Sequence, residues 1–192
     1  DSGRNVFDTS MVTTTDKWPK PVGKVYGGVD WGRANDYSVA TFVDSTGQVI
    51  DVYRENLTDW SVMVQQIVER ARKWNASILC EQNSIGDVLY ESVKKQWADT
   101  HPFVTTNKSK KEIVEGLVLD LNQNNITVPS ETLFPPLLFE LNAYEYSYSP
   151  KNRSVTYNAP SGLHDDTVIS ICLANWHRKQ NKNYGTYNYF VG

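Results

Sequence analysis

The sequence predicts an α/β domain: one mixed sheet, an antiparallel meander followed by parallel strands, with helices on both faces. Three observations carry this expectation. Residues 24–55 hold three β-rich runs joined by short turns, the pattern of an antiparallel meander. Residues 59–74 then switch to helical period, and 76–81 form a short, almost wholly apolar run, as in a strand buried on both faces. From there to residue 179 helices and short extended pieces alternate, an order that suits a sheet covered on both sides.

Taken in order, residues 1–21 are polar and aperiodic and read as a linker or an arm lying on the domain. The domain itself is expected over 22–180, with an Asn- and Tyr-rich tail at 181–192. Strands are expected at 24–31, 37–44 and 48–55, with 32–36 a loop and Ser45-Thr46-Gly47 a turn. The first helix, 59–74, repeats Trp60, Met63, Val64, Ile67, Val68 and Ala71 at threes and fours, and Thr58 or Asp59 can cap it. A second helix follows at 85–97 and a short strand at 103–106. The third helix, 109–122, carries Ile113, Leu117 and Leu121 on one face. A brief extended piece spans 126–128, and 130–144 turns helical after Pro135-Pro136. Residues 146–157 read as a hairpin turning at 149–153, and 165–179 as the last helix.

Hydrophobic content of 40% and charged content of 21% are ordinary for a folded domain. No run of eighteen apolar residues predicts a membrane span, and the N-terminal residues do not form a secretory signal. The chain lacks an initiator Met, as a fragment of a longer protein would. Cys80 and Cys172 sit inside apolar runs and read as buried free thiols. The three histidines are scattered without metal-finger spacing, so a zinc site is not expected. A net charge of −3 argues neither for nor against a nucleic-acid partner, because a metal-binding site gathers acids centrally and leaves bases at the rim. The bases cluster at Lys108, Lys110 and Lys111, and again at His177, Arg178, Lys179 and Lys182.

Three places carry acids where a fold has little structural use for them. Asp30 ends the first strand behind Gly27 and Gly28. An acid there is costly unless paired, although an Asp also starts turns. Glu81 closes the apolar run in the same way, and Glu is favoured neither in strands nor in turns. Asp165 and Asp166 follow His164 and open an apolar helix. One acid would serve as a cap; a second, preceded by His, exceeds what capping needs. Adjacent strand ends and a helix start can converge in a mixed sheet. Carboxylates gathered there would repel and raise each other's pKa unless cations sat among them. Mg²⁺ and Mn²⁺ suit such oxygen ligands. Two ions about 4 Å apart can activate water and stabilise a leaving oxygen in phosphodiester cleavage.

The blocks GGVDWGRANDYSVATFVD, ILCEQNSIGDVL and GLHDDTVISICLA, in this order, resemble the nuclease domain of the large terminases, the DNA-packaging motors of tailed phages. That family belongs to the RNase H/resolvase-like superfamily, and the resemblance runs from about Val22 to Lys179. It implies an RNase H-like fold and a metal-dependent endonuclease that cuts double-stranded DNA concatemers. Asp30 would bridge two ions, Mg²⁺ or Mn²⁺. Glu81 would be the second ligand, and Asp166, assisted by Asp165, the third. Asp36 matches an extra acid of some members and is a lesser metal candidate; some relatives carry Asp where Glu81 stands. Lys110 or Lys111 falls where such domains carry a lysine-bearing turn, and Lys151 and Arg153 tip a hairpin that can touch DNA. The same resemblance implies an ATPase domain, a small terminase subunit and a portal as partners, and the host-cell cytoplasm as the location. No GxxxxGK[ST] loop occurs, so the chain is expected to be the nuclease part and not to hydrolyse ATP.

Two other readings remain at this point. One keeps the fold and changes the substrate: a Holliday-junction resolvase, a transposase core or a ribonuclease H. The other is a non-catalytic RNase H-like or actin-like interaction module, in which the acids are structural. An actin-like kinase would need glycine-rich phosphate loops that the sequence lacks.

Overall fold

The computed structural model describes residues 4–56 and 58–187, with 182–187 as backbone only. The chain begins against its own domain. Phe7 is buried at 4% exposure, Val6 N–H donates to Tyr144 O at 3.0 Å, and β1 (Thr13–Thr15) pairs in parallel with a later strand. Packing therefore starts well before Val22, through three threonines too short and polar to announce a strand. Next come β2 (Val25–Asp30), β3 (Ser38–Asp44) and β4 (Val49–Glu55), followed by α1 (Trp60–Trp74), β5 (Ser77–Glu81), α2 (Ile85–Gln96) and β6 (Thr100–Phe103). Then follow α3 (Asn107–Asn122), β7 (Thr127–Pro129), α4 (Pro135–Ala143), the hairpin β8 (Glu145–Ser149) and β9 (Ser154–Asn158), and α5 (Asp166–Tyr187).

The main sheet has five strands in the order β4-β3-β2-β5-β6. β2, β3 and β4 form the antiparallel meander, and β5 and β6 join β2 in parallel. β2 is central, and all six of its residues are buried. One face is covered by α1 and α2, where Ile67, Val68, Leu89 and Val93 pack with Val29, Ile78 and Cys80. The other face carries α3, α4 and α5 through Leu117, Leu141 and Leu173. Cys80 and Cys172 are both free and buried. No described helix is long and apolar enough to cross a membrane.

α5 lies close against β2. A Cβ at Gly28 would run into Ala174 N and Ser170 O. The Ser170 hydroxyl donates to Gly28 O at 2.7 Å and lies 2.8 Å from Thr41 Oγ1. Glycine at this position thus lets the helix backbone approach the strand. It also fixes the height at which the start of α5 sits over the sheet.

Several boundaries differ from the sequence reading. The strand expected at 103–106 lies at Thr100–Phe103, because the edge pairing runs from Ile78↔Thr100 to Glu81↔Phe103. Thr106 is instead the cap of α3: its side chain accepts from Ser109 N–H and Ser109 Oγ accepts from Thr106 N–H. This capping box starts the helix two residues before 109. α5 continues past 179 to Tyr187, and residues 188–192 of the expected tail lie outside the described residues. The described side chains of the second basic cluster do not form a rim, and that of Lys182 lies outside the described residues. His177 and Arg178 are buried, and Arg178 and Lys179 reach the buried Asp120 at 3.9 and 3.1 Å. A helix that must cover the sheet turns those positions inward, where a charge needs a partner.

Candidate metal centre

The carboxyl ends of β2 and β5 are neighbours. Val29 pairs with Cys80 in the parallel register, so Asp30 and Glu81 are the next residues out on adjacent strands. Asp30 is 8% exposed, and its carboxyl lies beside that of Glu81. Glu81 is braced from the far side. Thr105 Oγ1–H donates to its Oε1 at 3.3 Å, and Asn83 holds Thr105 by bonds in both directions, at 2.9 and 2.7 Å.

The start of α5 brings the paired aspartates over these strand ends. Asp166 is 7% exposed and accepts the Tyr37 backbone N–H at 3.0 Å. Asp165 is more open and faces Lys110, whose Nζ lies 3.8 Å away. His164 Nδ1 lies 3.3 Å from Asp36 Oδ1 and 3.7 Å from Asp166 Oδ2. One ligand atom each from Asp36, His164 and Asp166 lie within 4.8 Å of one another. Asp30, Glu81, Asp36, Asp165, Asp166 and Lys110 all line one open cleft of about 200 Å³. Lys111 pairs instead with Glu115 along the exposed face of α3, at 3.8 Å. Lys151 and Arg153 are exposed at the hairpin turn.

Electrostatics at the cleft follow from burial. The Asp30 carboxyl is pushed well above the usual range, first by burial, then by Glu81 beside it, and further by Asp166 and Asp165. Burial also lifts Asp166 to about 6; the Tyr37 N–H pulls it back, while Asp36 and Asp165 push the same way as burial. A third acid, Glu140 of α4, is 2% exposed. Burial raises it to about 7, partly offset by the Thr167 hydroxyl and the Arg54 charge. Acids this crowded and dehydrated suit a hard divalent cation, which replaces the protons they would otherwise keep. The donor set is four carboxylates with Asp36 and one imidazole at its edge.

The sign of the pH dependence is fixed. The buried His177, depressed to about 4 chiefly by burial, works the other way, but by only a few tenths of a kcal/mol above pH 6.5, where the unfolded imidazole is at most half charged. Glu140, raised to about 7, keeps part of its proton in the folded state after the unfolded chain has lost it, and the raised Asp30 acts in the same direction. Folded protein then binds more protons, so stability falls as pH rises. Between pH 6.5 and 8 the metal-free domain should lose on the order of 1 kcal/mol through Glu140, with Asp30 adding in the same direction. Excess Mn²⁺ should remove the share due to Asp30 and leave that of Glu140, which is buried in α4. Thermal denaturation in EDTA across this window checks it; a melting temperature that climbs with pH would contradict it.

His164, Tyr37, Arg54 and Glu140 are what the structure adds to the acids read from the sequence. His164 was visible beside the Asp pair. The others had no local signal, since their contacts span from 17 to well over 100 residues of chain.

The fold has close counterparts among solved structures. The large terminase nuclease from thermophilic phage G20c with bound magnesium matches with a TM-score of 0.80 at 22% identity, covering 92% of this chain and 98% of that one. The nuclease domain of the large terminase of bacteriophage SPP1 with bound Mn matches at 0.60 and 11% identity, over 87% and 97%. That of bacterial virus Sf6 matches at 0.66 and 10%, over 81% and 89%. No protein-family model and no curated protein matches the chain. With its mixed sheet, its helices on both faces and its acids at the carboxyl ends of the central strands, the chain has the RNase H-like fold of the phage large terminase nuclease domains.

Proposed function

We propose that the chain is a divalent-metal-dependent endonuclease that cuts double-stranded DNA, acting on genome concatemers during phage DNA packaging. One observation carries this: Asp30 and Glu81, from neighbouring parallel strands, meet Asp165 and Asp166 in a single cleft. The similar G20c and SPP1 domains hold magnesium and Mn respectively. Asp30, Glu81 and Asp166 are the ligands we assign, with Asp165 assisting and Asp36 at the edge, for Mg²⁺ or Mn²⁺, two ions in all. Bound there, such ions supply the Lewis acidity and activated water of phosphodiester hydrolysis. The protein's part is to hold the acids together despite their repulsion and to bring the phosphate to them.

Lys110 suits the second task. It lies between Asp165 and the hairpin, with its Nζ 3.4 Å from Asn158 Oδ1, so a backbone phosphate entering the cleft meets its charge. Lys111, Lys151 and Arg153 extend that contact along the duplex. Backbone contacts carry no sequence information, so little sequence preference follows. With a net charge of −3 the isolated chain should bind DNA weakly and lose binding steeply with salt. The wider setting we assign is a motor with an ATPase domain, a small terminase subunit and a portal, in the host-cell cytoplasm.

The test is nicking of supercoiled plasmid in Mn²⁺ or Mg²⁺, with and without EDTA. Metal-dependent cleavage that vanishes in folded Asp30→Asn and Asp166→Asn variants supports the assignment. Absence of cleavage with every divalent metal would sink it and leave a non-catalytic module. Preference for junctions or RNA–DNA hybrids over linear duplex would move the chain to another RNase H-like activity.

A further inference from the structure

Tyr37 is the hub of the metal centre's outer wall. Its backbone N–H fixes Asp166 Oδ2, and its ring meets His164 edge-on at 5.2 Å and 89°. Tyr37 closes the 32–36 loop, which turns through a left-handed Ala34 (φ 51°) and holds Asp36. Such a loop needs an outside brace to keep one conformation.

Arg54 provides one. It stands near the end of β4 opposite Val39, whose other partner across β3 is Asp30, so it lies at the same end of the sheet as the acids. Its guanidinium carbon lies 3.5 Å over the centre of the Tyr37 ring. Its Nε–H donates to Thr167 Oγ1 at 3.2 Å, one residue beyond Asp166. One planar group thus grips both the loop and the helix start, which an ammonium cannot do. Its charge also acts on the buried Glu140, whose two oxygens have no hydrogen-bond partner of ordinary geometry among the described residues.

Building on the metal-dependent reading above, we infer that Arg54 is a positioning residue for this centre. It clamps Tyr37 and Thr167 so that Asp166 faces the cleft and His164 stays beside it. It touches no ion itself. Outer-shell groups of this kind set metal affinity by about 10- to 100-fold.

The experiment compares wild type with Arg54→Lys, which keeps the charge and loses the planar stack. Mn²⁺ affinity is read by electron paramagnetic resonance, amide exchange at residues 33–37 by mass spectrometry, and folding by melting temperature. Mn²⁺ binding at least about 10-fold weaker and faster exchange at 33–37, in a variant that melts within a few degrees of wild type, are expected. Should Arg54→Lys fold poorly, Arg54→Met/Glu140→Met removes the guanidinium and the buried carboxyl at similar volume and must show the same two changes. Wild-type Mn²⁺ affinity and exchange in either folded variant overturn the inference. A wild-type chain that takes up no Mn²⁺ overturns the metal reading and this inference together. That outcome differs from failure of the inference alone, in which wild type and variant bind Mn²⁺ equally.

Discussion

Asp30→Asn should lower metal-dependent cleavage by about 10³-fold or more while raising the melting temperature of the metal-free chain. The first effect follows from removing a ligand we assign to the metal; about 4 kcal/mol of lost transition-state stabilisation corresponds to that factor. The second follows from the same crowding. Asp30 is buried beside Glu81, with Asp165 and Asp166 close enough to raise its pKa further. An amide at this site carries no charge and donates to Glu81 without the cost of holding a proton on a buried carboxyl at pH 8. A gain of about 1–2 kcal/mol, or roughly 3–6 °C for a domain of this size, is expected at pH 8 in EDTA. Excess Mn²⁺ should then stabilise wild type more than the variant. An Asn variant that melts lower than wild type in EDTA would remove the electrostatic basis for the site.

Gly28→Ala should be the most damaging single-methyl substitution in the sheet. The added Cβ meets the backbone of α5 at Ala174 N and Ser170 O, and lies 2.8 Å from Leu173 Cβ. Backbone cannot swing aside as a side chain can, so α5 must lift from β2. A loss of about 3 kcal/mol, or roughly 6–12 °C, is expected from thermal denaturation. Asp166 sits at the start of that helix, so cleavage should also fall at temperatures where the variant stays folded. Gly116→Ala is the control. It lies inside α3, where the nearest atom to its added Cβ is Trp176 Cε3 at 3.7 Å, and should be neutral or stabilising by up to about 1 kcal/mol. Equal melting temperatures for the two variants would show that helix and strand do not need this close approach.

The order of strands and helices was legible because it rests on local pattern. The meander's three strands follow one another across short turns, and α1 repeats Met63, Val64, Ile67 and Val68 at helical spacing. What failed locally was short or edge structure. β1 has three threonines and forms only because β7 offers a partner more than a hundred residues later. β6 was displaced because its pairing is set by β5 and Thr106 is taken by the α3 capping box.

The sequence by itself determined which acids were out of place: Asp30, Glu81 and the Asp165-Asp166 pair end or begin apolar elements where an unpaired charge has no structural use. Only the tertiary structure decided that these acids share one cleft, that Asp166 is the more buried of the pair, and that Arg54, Tyr37 and Glu140 stand behind it. The reason is physical. Local sequence fixes how each segment folds, whereas desolvation, repulsion and stacking depend on which distant segments are packed together.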